Sequence, residues 1–198
     1  VKAPKYKWQP TTAEIAAAAG IAADDVERFD HNTSPVETDW AAAAAATALG
    51  HLNEYPAATY RGLRVAAAEL NGLDPRQIVP GAGADELILL CGRAFLGRGR
   101  AAAASTPTYP LYEIATLQAG GVFRPVPAPP PDFDFPLDAV IKAARDSDLV
   151  WICAPSNPIG NIVTEDQVEA VVAAADGLVV VDAAYAEFST IDWSPRVD

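Results

Sequence analysis

Four short stretches of this sequence hold side chains that could do chemistry. They are Gly81-Ala82-Gly83-Ala84-Asp85-Glu86, Pro107-Thr108-Tyr109, Ser156-Asn157-Pro158-Ile159-Gly160 and Asp182-Ala183-Ala184-Tyr185. A glycine loop opening a helix offers free backbone N–H groups and the positive helix end, which suit a phosphate. It is neither a dinucleotide fingerprint nor a Walker loop, because Glu86 stands where a third glycine would fall and no Gly-Lys-Ser/Thr follows. Asp85 and Glu86 complement the helix dipole but would repel an anion they faced, so the N–H groups must do the holding. A Gly-x-Gly before a helix also serves as a plain turn.

Tyr109, fixed behind Pro107, offers an aromatic face to a flat ligand, or simply packs half-buried. Asn157 lies between Pro155 and Pro158 with Gly160 beyond. A turn so stiffened aims one amide outward, or forms an Asx turn with no ligand. Asp182 ends an apolar run, where an unpaired carboxylate costs several kcal/mol. It either caps the segment after it or meets a cationic ligand atom, a bond of roughly 1.5–3 kcal/mol. Tyr185 supplies a phenol nearby. His31 and His51 lack metal-ligand spacing, so no metal is expected. Together, a phosphate cradle, an aromatic plate, an aimed amide and a strand-end acid describe a flat phosphorylated ligand with a protonated ring nitrogen. Pyridoxal phosphate fits.

Such groups must be positioned by a sheet. Gln77–Val79, Ala101–Ser105, Val122–Val126, Leu149–Ala154 and Leu178–Val181 read as strands. Helices are expected at 14–20, 36–49, 57–70, 85–96, 109–118, 137–145 and 165–175, several ended by glycine. Strands apolar throughout that alternate with helices predict an α/β fold, a mostly parallel sheet covered on both faces. Ligands in such folds lie beyond the carboxyl ends of the strands, where all four stretches fall. Pro125–Pro136 reads as an extended surface linker. Residues 1–36 read as an N-terminal arm and 37–198 as the main domain.

The chain has 198 residues, 51% hydrophobic, with a net charge of −12. That composition excludes disordered and disulfide-stapled classes, and the acidic balance argues against a nucleic-acid surface. Ala16–Ala19 and Ala41–Ala46 are far short of the ~20 apolar residues of a membrane span. Cys91 and Cys153 read as buried thiols in a reducing, cytoplasmic setting.

In this order and spacing the stretches, with Asn32 before Pro35 and with Tyr55-Pro56, resemble the fold-type I pyridoxal-phosphate aminotransferases, closest to the histidinol-phosphate branch. The resemblance runs from about Phe29 to Phe188. It implies a large domain of the pyridoxal-phosphate transferase type. Gly83, Ala84 and Asp85 would hold the cofactor phosphate, and Tyr109 would stack on the ring. Asn157 and Tyr185 would bond the ring hydroxyl oxygen, and Asp182 would hold the ring nitrogen protonated. Tyr55 would cross to the partner's site in a homodimer, and Asn32 would lie near the substrate. The implied reaction is amino transfer from an amino acid or amino-alcohol phosphate to a 2-oxoacid, as in histidine biosynthesis. A decarboxylase of the threonine-phosphate kind stays open, as does a lysine-less, non-catalytic homologue.

Two positions depart from the family pattern. Ala183 replaces the usual glutamate. The four lysines are Lys2, Lys5, Lys7 and Lys142, so none follows Asp182, where the family places its Schiff-base lysine. The expectation is a chain cut before that lysine and before the arginine that takes the substrate carboxylate.

Overall fold

The computed structural model describes residues 6, 8–34, 36 and 38–197. Lys2, Lys5, Lys7 and Pro35 lie outside the described residues. The described chain divides into two compact units: one ends at Tyr60, the other runs from Arg61 onward and includes Tyr6.

In the first unit, α1 (Thr12–Ala19) starts at a capping box, in which Glu14 N–H donates to Thr11 Oγ1 and Thr11 N–H to Glu14 Oε2. Gly20, at φ 70°, ends it. Arg28 pairs with Asp30 at 2.7 Å. The alanine run forms α2 (Asp39–Ala48), none of whose residues is buried. Ala41–Ala46 offer little area to bury, and α2 falls in this unit. The two units divide at Tyr60–Arg61.

The second unit carries the sheet. Its helices are α3 (Arg61–Asn71), α4 (Gly83–Phe95), α5 (Leu111–Gln118), α6 (Leu137–Ala144) and α7 (Glu165–Ala174). Its strands are β1 (Ala101–Thr106), β2 (Val122–Pro127), β3 (Leu149–Cys153) and β4 (Leu178–Asp182). They pair in the order β2-β1-β3-β4, all parallel. The α/β reading holds.

Gln77–Val79 is not a strand. Asp74 and Gln77 exchange capping-box bonds around Pro75, closing a single 3-10 turn at Pro75–Gln77. Alanine is a poor strand former, yet Ala101–Ala104 form a central strand, with exposures of 4% or less. Pairing on both sides satisfies that backbone, and the small side chains fit the close-packed layer beneath the helices. The proline-rich stretch is less of a surface linker than expected: Pro125 is part of β2, and Val126 and Ala128 are buried. Gly177 enters β4 so close to β3 that any Cβ there would overlap the Asp148 carbonyl.

Side-chain alternation splits the strands between two layers. Ala102, Ala104, Leu149 and Trp151 face Ile88 of α4 and Leu111, Tyr112, Ile114 and Ala115 of α5. Val150, Ile152 and Val126 face Val140 and Ala144 of α6 and Val168 and Val171 of α7. Cys153 and Val180 belong with the first layer, Val179 and Val181 with the second. By the same alternation Asp182 faces α4 and α5.

Candidate functional site

Because the strands are parallel, the carboxyl ends of β1, β3 and β4 share one rim. Cys153 pairs in register with Asp182, so the turn holding Asn157 leaves β3 beside the end of β4. The glycine loop does not leave a strand, since its expected strand is absent. It joins the rim by a side-chain bond instead: Tyr109 Oη donates to Asp85 Oδ1 at 2.9 Å. Burial first, then Asp85, pushes the Tyr109 phenol above its ordinary range, so the hydroxyl keeps its proton.

Asp182 uses both carboxylate oxygens. Oδ1 accepts the Ala184 N–H at 3.1 Å, the local cap foreseen as one reading. Oδ2 accepts the Tyr112 hydroxyl at 2.7 Å. Each oxygen has a further lone pair to offer. Tyr112 is a residue that sequence reasoning missed. The available signal was its place three residues after Tyr109, near the start of the helix expected over 109–118. Nothing in the sequence said which face of the sheet that turn would cover.

Tyr112 is fully buried. Its ring stacks on Trp151 at 5.1 Å and 10°, and meets Tyr109 edge-on at 6.0 Å and 80°. Burial, with the Cys153 thiol and the Asp182 carboxylate beside it, holds the Tyr112 phenol protonated far above its ordinary range. Cys153 Sγ donates to the Pro155 carbonyl at 3.4 Å and accepts the Asn157 N–H at 3.4 Å. Burial pushes both thiols up, and both are free and only half-buried, where the sequence had suggested core positions.

The start of α4 has no side-chain cap at Ala82, and Gly83 takes φ 75°. Both acids expected to repel an anion there are engaged: Asp85 Oδ1 accepts the Tyr109 hydroxyl, and Glu86 Oε2 accepts the Ala82 N–H of the loop itself at 2.6 Å. Asn157 is half-buried, and its side-chain amide bonds nothing among the described residues. Tyr185, half-buried, leads into a short turn, its ring 6.5 Å from that of Phe188.

Gly83, Ala84, Asp85, Tyr109, Asn157, Asp182 and Tyr185 thus all belong to the unit that carries the sheet. Tyr55, fully exposed, and Asn32, at φ 51°, belong to the other unit. A hollow of about 20 Å³ beside the rim, lined by Thr108, Trp151, Cys153, Ser156 and Asn161, has room for one water and not for a ring. The candidate site is the half-open rim itself. Among the described residues no group of three or more His, Cys, Asp or Glu could hold a metal. No described helix is long and apolar enough to cross a membrane.

Residues 25–194 match the family described as aminotransferase class I and II. The chain is 36% identical over 192 residues to a histidinol-phosphate aminotransferase of Dinoroseobacter shibae, a match covering 91% of this chain and 52% of that protein. It is 36% identical to one from Methanothermobacter thermautotrophicus, covering 90% and 49%. The fold superposes with a TM-score of 0.81 and 25% identity on histidinol-phosphate aminotransferase from Sinorhizobium meliloti in complex with pyridoxal-5'-phosphate, over 94% of this chain and 51% of that one. The chain spans about half the length of the relatives it matches. It belongs to the class I and II aminotransferase family.

Proposed function

We propose that this chain supplies the cofactor-binding part of a pyridoxal-phosphate-dependent aminotransferase. Its substrate is an amino acid or amino-alcohol phosphate of the histidinol-phosphate kind, with a 2-oxoacid as the other partner. The observation that carries this reading is Asp182: a strand-end carboxylate held by one donor on each oxygen, with a lone pair left on each for a cation. The surrounding donor set fits the same ligand. It comprises an uncapped helix start, the rim phenols Tyr109 and Tyr185, and an amide with no partner among the described residues.

In this reading the N–H groups of Gly83, Ala84 and Asp85 hold the phosphate. The Tyr109 ring lies against the pyridine, its hydroxyl tethered to Asp85. Asn157 and Tyr185 donate to the ring's hydroxyl oxygen. Asp182 accepts the ring N–H and keeps that nitrogen protonated. Pyridoxal phosphate, bound there, supplies an electron sink for the pair left when the substrate's α-proton departs. Tyr55 reaches a partner's site in a homodimer, and Asn32 lies toward the substrate. The free thiols suit the cytoplasm. No lysine of this chain is assigned the proton-shuttling role. Lys142 is on α6, which packs on the other face of the sheet from Asp182.

The test uses the complete gene product. Titration with pyridoxal phosphate should give saturable binding, and histidinol phosphate with 2-oxoglutarate should give amino transfer without release of carbon dioxide. Asp182→Ala should weaken cofactor binding by about 100-fold, the worth of one charge-assisted bond. Its thermal unfolding should move far less. No cofactor binding, or equal losses of binding and stability in Asp182→Ala, would overturn the reading. Carbon dioxide release without consumption of the 2-oxoacid would make the enzyme a decarboxylase.

A further inference from the structure

We propose that Tyr112 is a positioning residue that fixes the orientation of the Asp182 carboxylate toward the cofactor's ring nitrogen; this rests on the reading of Asp182 given above. A carboxylate at a strand end turns about its last torsion unless something stops it, because terminal torsions of this kind have broad wells. One donor on one oxygen leaves that rotation partly free. Here the donors are on different oxygens and come from different elements: the Ala184 N–H from the chain just past β4, and the Tyr112 hydroxyl from α5. Two bonds from two directions define the carboxylate plane, and with it the direction of each remaining lone pair.

Tyr112 is itself held. Its ring is sandwiched into the core against Trp151, with no exposed surface, and Tyr109 closes on it edge-first. Its phenol stays protonated, and so a donor, at any working pH. The chain of support therefore runs from the buried Trp151 of β3, through Tyr112, to Asp182. A group held within a fraction of an ångström by a rigid outer shell binds without a reorganisation cost that a loose one bears. Tyr112 bonds the carboxylate and has no exposed surface of its own, so its effect travels through Asp182.

That route gives the test. Apoprotein from the complete gene is titrated with pyridoxal phosphate, following quenching of tryptophan fluorescence, for the wild type, Tyr112→Phe, Asp182→Asn and the double variant. Tyr112→Phe removes one oxygen and keeps the stacked ring; should it not fold, Tyr112→Met removes the same donor. The expected result is a dissociation constant raised about tenfold by Tyr112→Phe in the wild-type background. In the Asp182→Asn background the same change should have less than about a twofold effect. Wild-type binding in Tyr112→Phe, alongside weak binding in Asp182→Asn, would overturn the role of Tyr112 and leave the reading of Asp182 standing. Equal weakening in both backgrounds would also overturn it, marking Tyr112 as a purely structural side chain. Wild-type binding in Asp182→Asn would remove the reading of Asp182, and the inference with it.

Discussion

The two faces of the sheet are made from alternate residues of the same strands, yet they are different materials. The fully buried residues of the face toward α6 and α7 are aliphatic, Val126, Val140, Val150, Ile152, Val163, Val168 and Val171 with alanines between, and Phe135 and Trp193 pack on its margin. The face toward α4 and α5 contains Trp151 and Tyr112 and, at the rim, Cys153 and Asp182. Both are close-packed and both hold the sheet. The face toward α4 and α5 is the one that ends at Asp182. A single step along β3 or β4 moves a residue from a wall of hydrocarbon to the wall that leads into the candidate site. A strand's parity therefore decides the role of a residue as firmly as its chemical type does.

Neighbouring residues of β3 put that difference to its hardest test. Trp151→Ala should lower unfolding free energy by about 4 kcal/mol, because it removes the largest side chain of the core and leaves a void. Since it also removes the ring on which Tyr112 stacks, it should weaken pyridoxal-phosphate binding in the same protein. Val150→Ala should cost about 2 kcal/mol and leave binding unchanged. Urea unfolding and cofactor titration of the two variants check both halves. Equal effects on binding would break the distinction between the faces.

A smaller effect sharpens it. Thr164 caps α7 on the aliphatic side by a reciprocal pair of bonds with Gln167, at 2.9 and 3.3 Å. Thr164→Ala should cost about 1 kcal/mol in urea unfolding, with cofactor affinity unaltered. The smallest lies outside the sheet. Asp74, partly exposed, is held at about 2, below the ordinary 3.8, first by its side-chain bonds with Arg76 and then by the Arg76 N–H. A carboxyl lowered in the folded state adds stability that is complete above pH 4 and lost as pH falls from about 4 through 2. In thermal unfolding, Asp74→Asn should melt lower than the wild type at neutral pH, and the difference should shrink as pH falls from about 4 to 2. A difference of the same size at pH 2 as at neutral pH would mean that the turn, not the charge, is what Asp74 supports.

Much of this was legible along the chain. The runs Leu149–Ala154 and Leu178–Val181 declared parallel strands because every residue is apolar, and glycines marked helix ends; β3 is buried as expected, but β4 is an edge strand and only half-buried. Three of the four chemistry-bearing stretches do lie at carboxyl ends of strands. The Gln77–Val79 assignment failed because a short apolar run was weighed above the Asp74-Pro75-Gln77 cap, a local bond pair stronger than a three-residue propensity. The alanine strand was weakly legible because what makes it a strand is pairing on both sides, which no window of sequence contains.

The sequence by itself determined the α/β alternation, the strand ends as the place for chemistry, and the residue types gathered there, since these follow from local periodicity and turn chemistry. Tertiary structure alone decided that Asp182 faces α5 rather than α6, that Tyr109 ties the glycine loop to the rim, and that Tyr112 meets Asp182 across 70 positions of sequence. Those contacts depend on strand order and on which face each helix covers. Both are settled by the burial of the whole sheet at once, a quantity that no single segment carries.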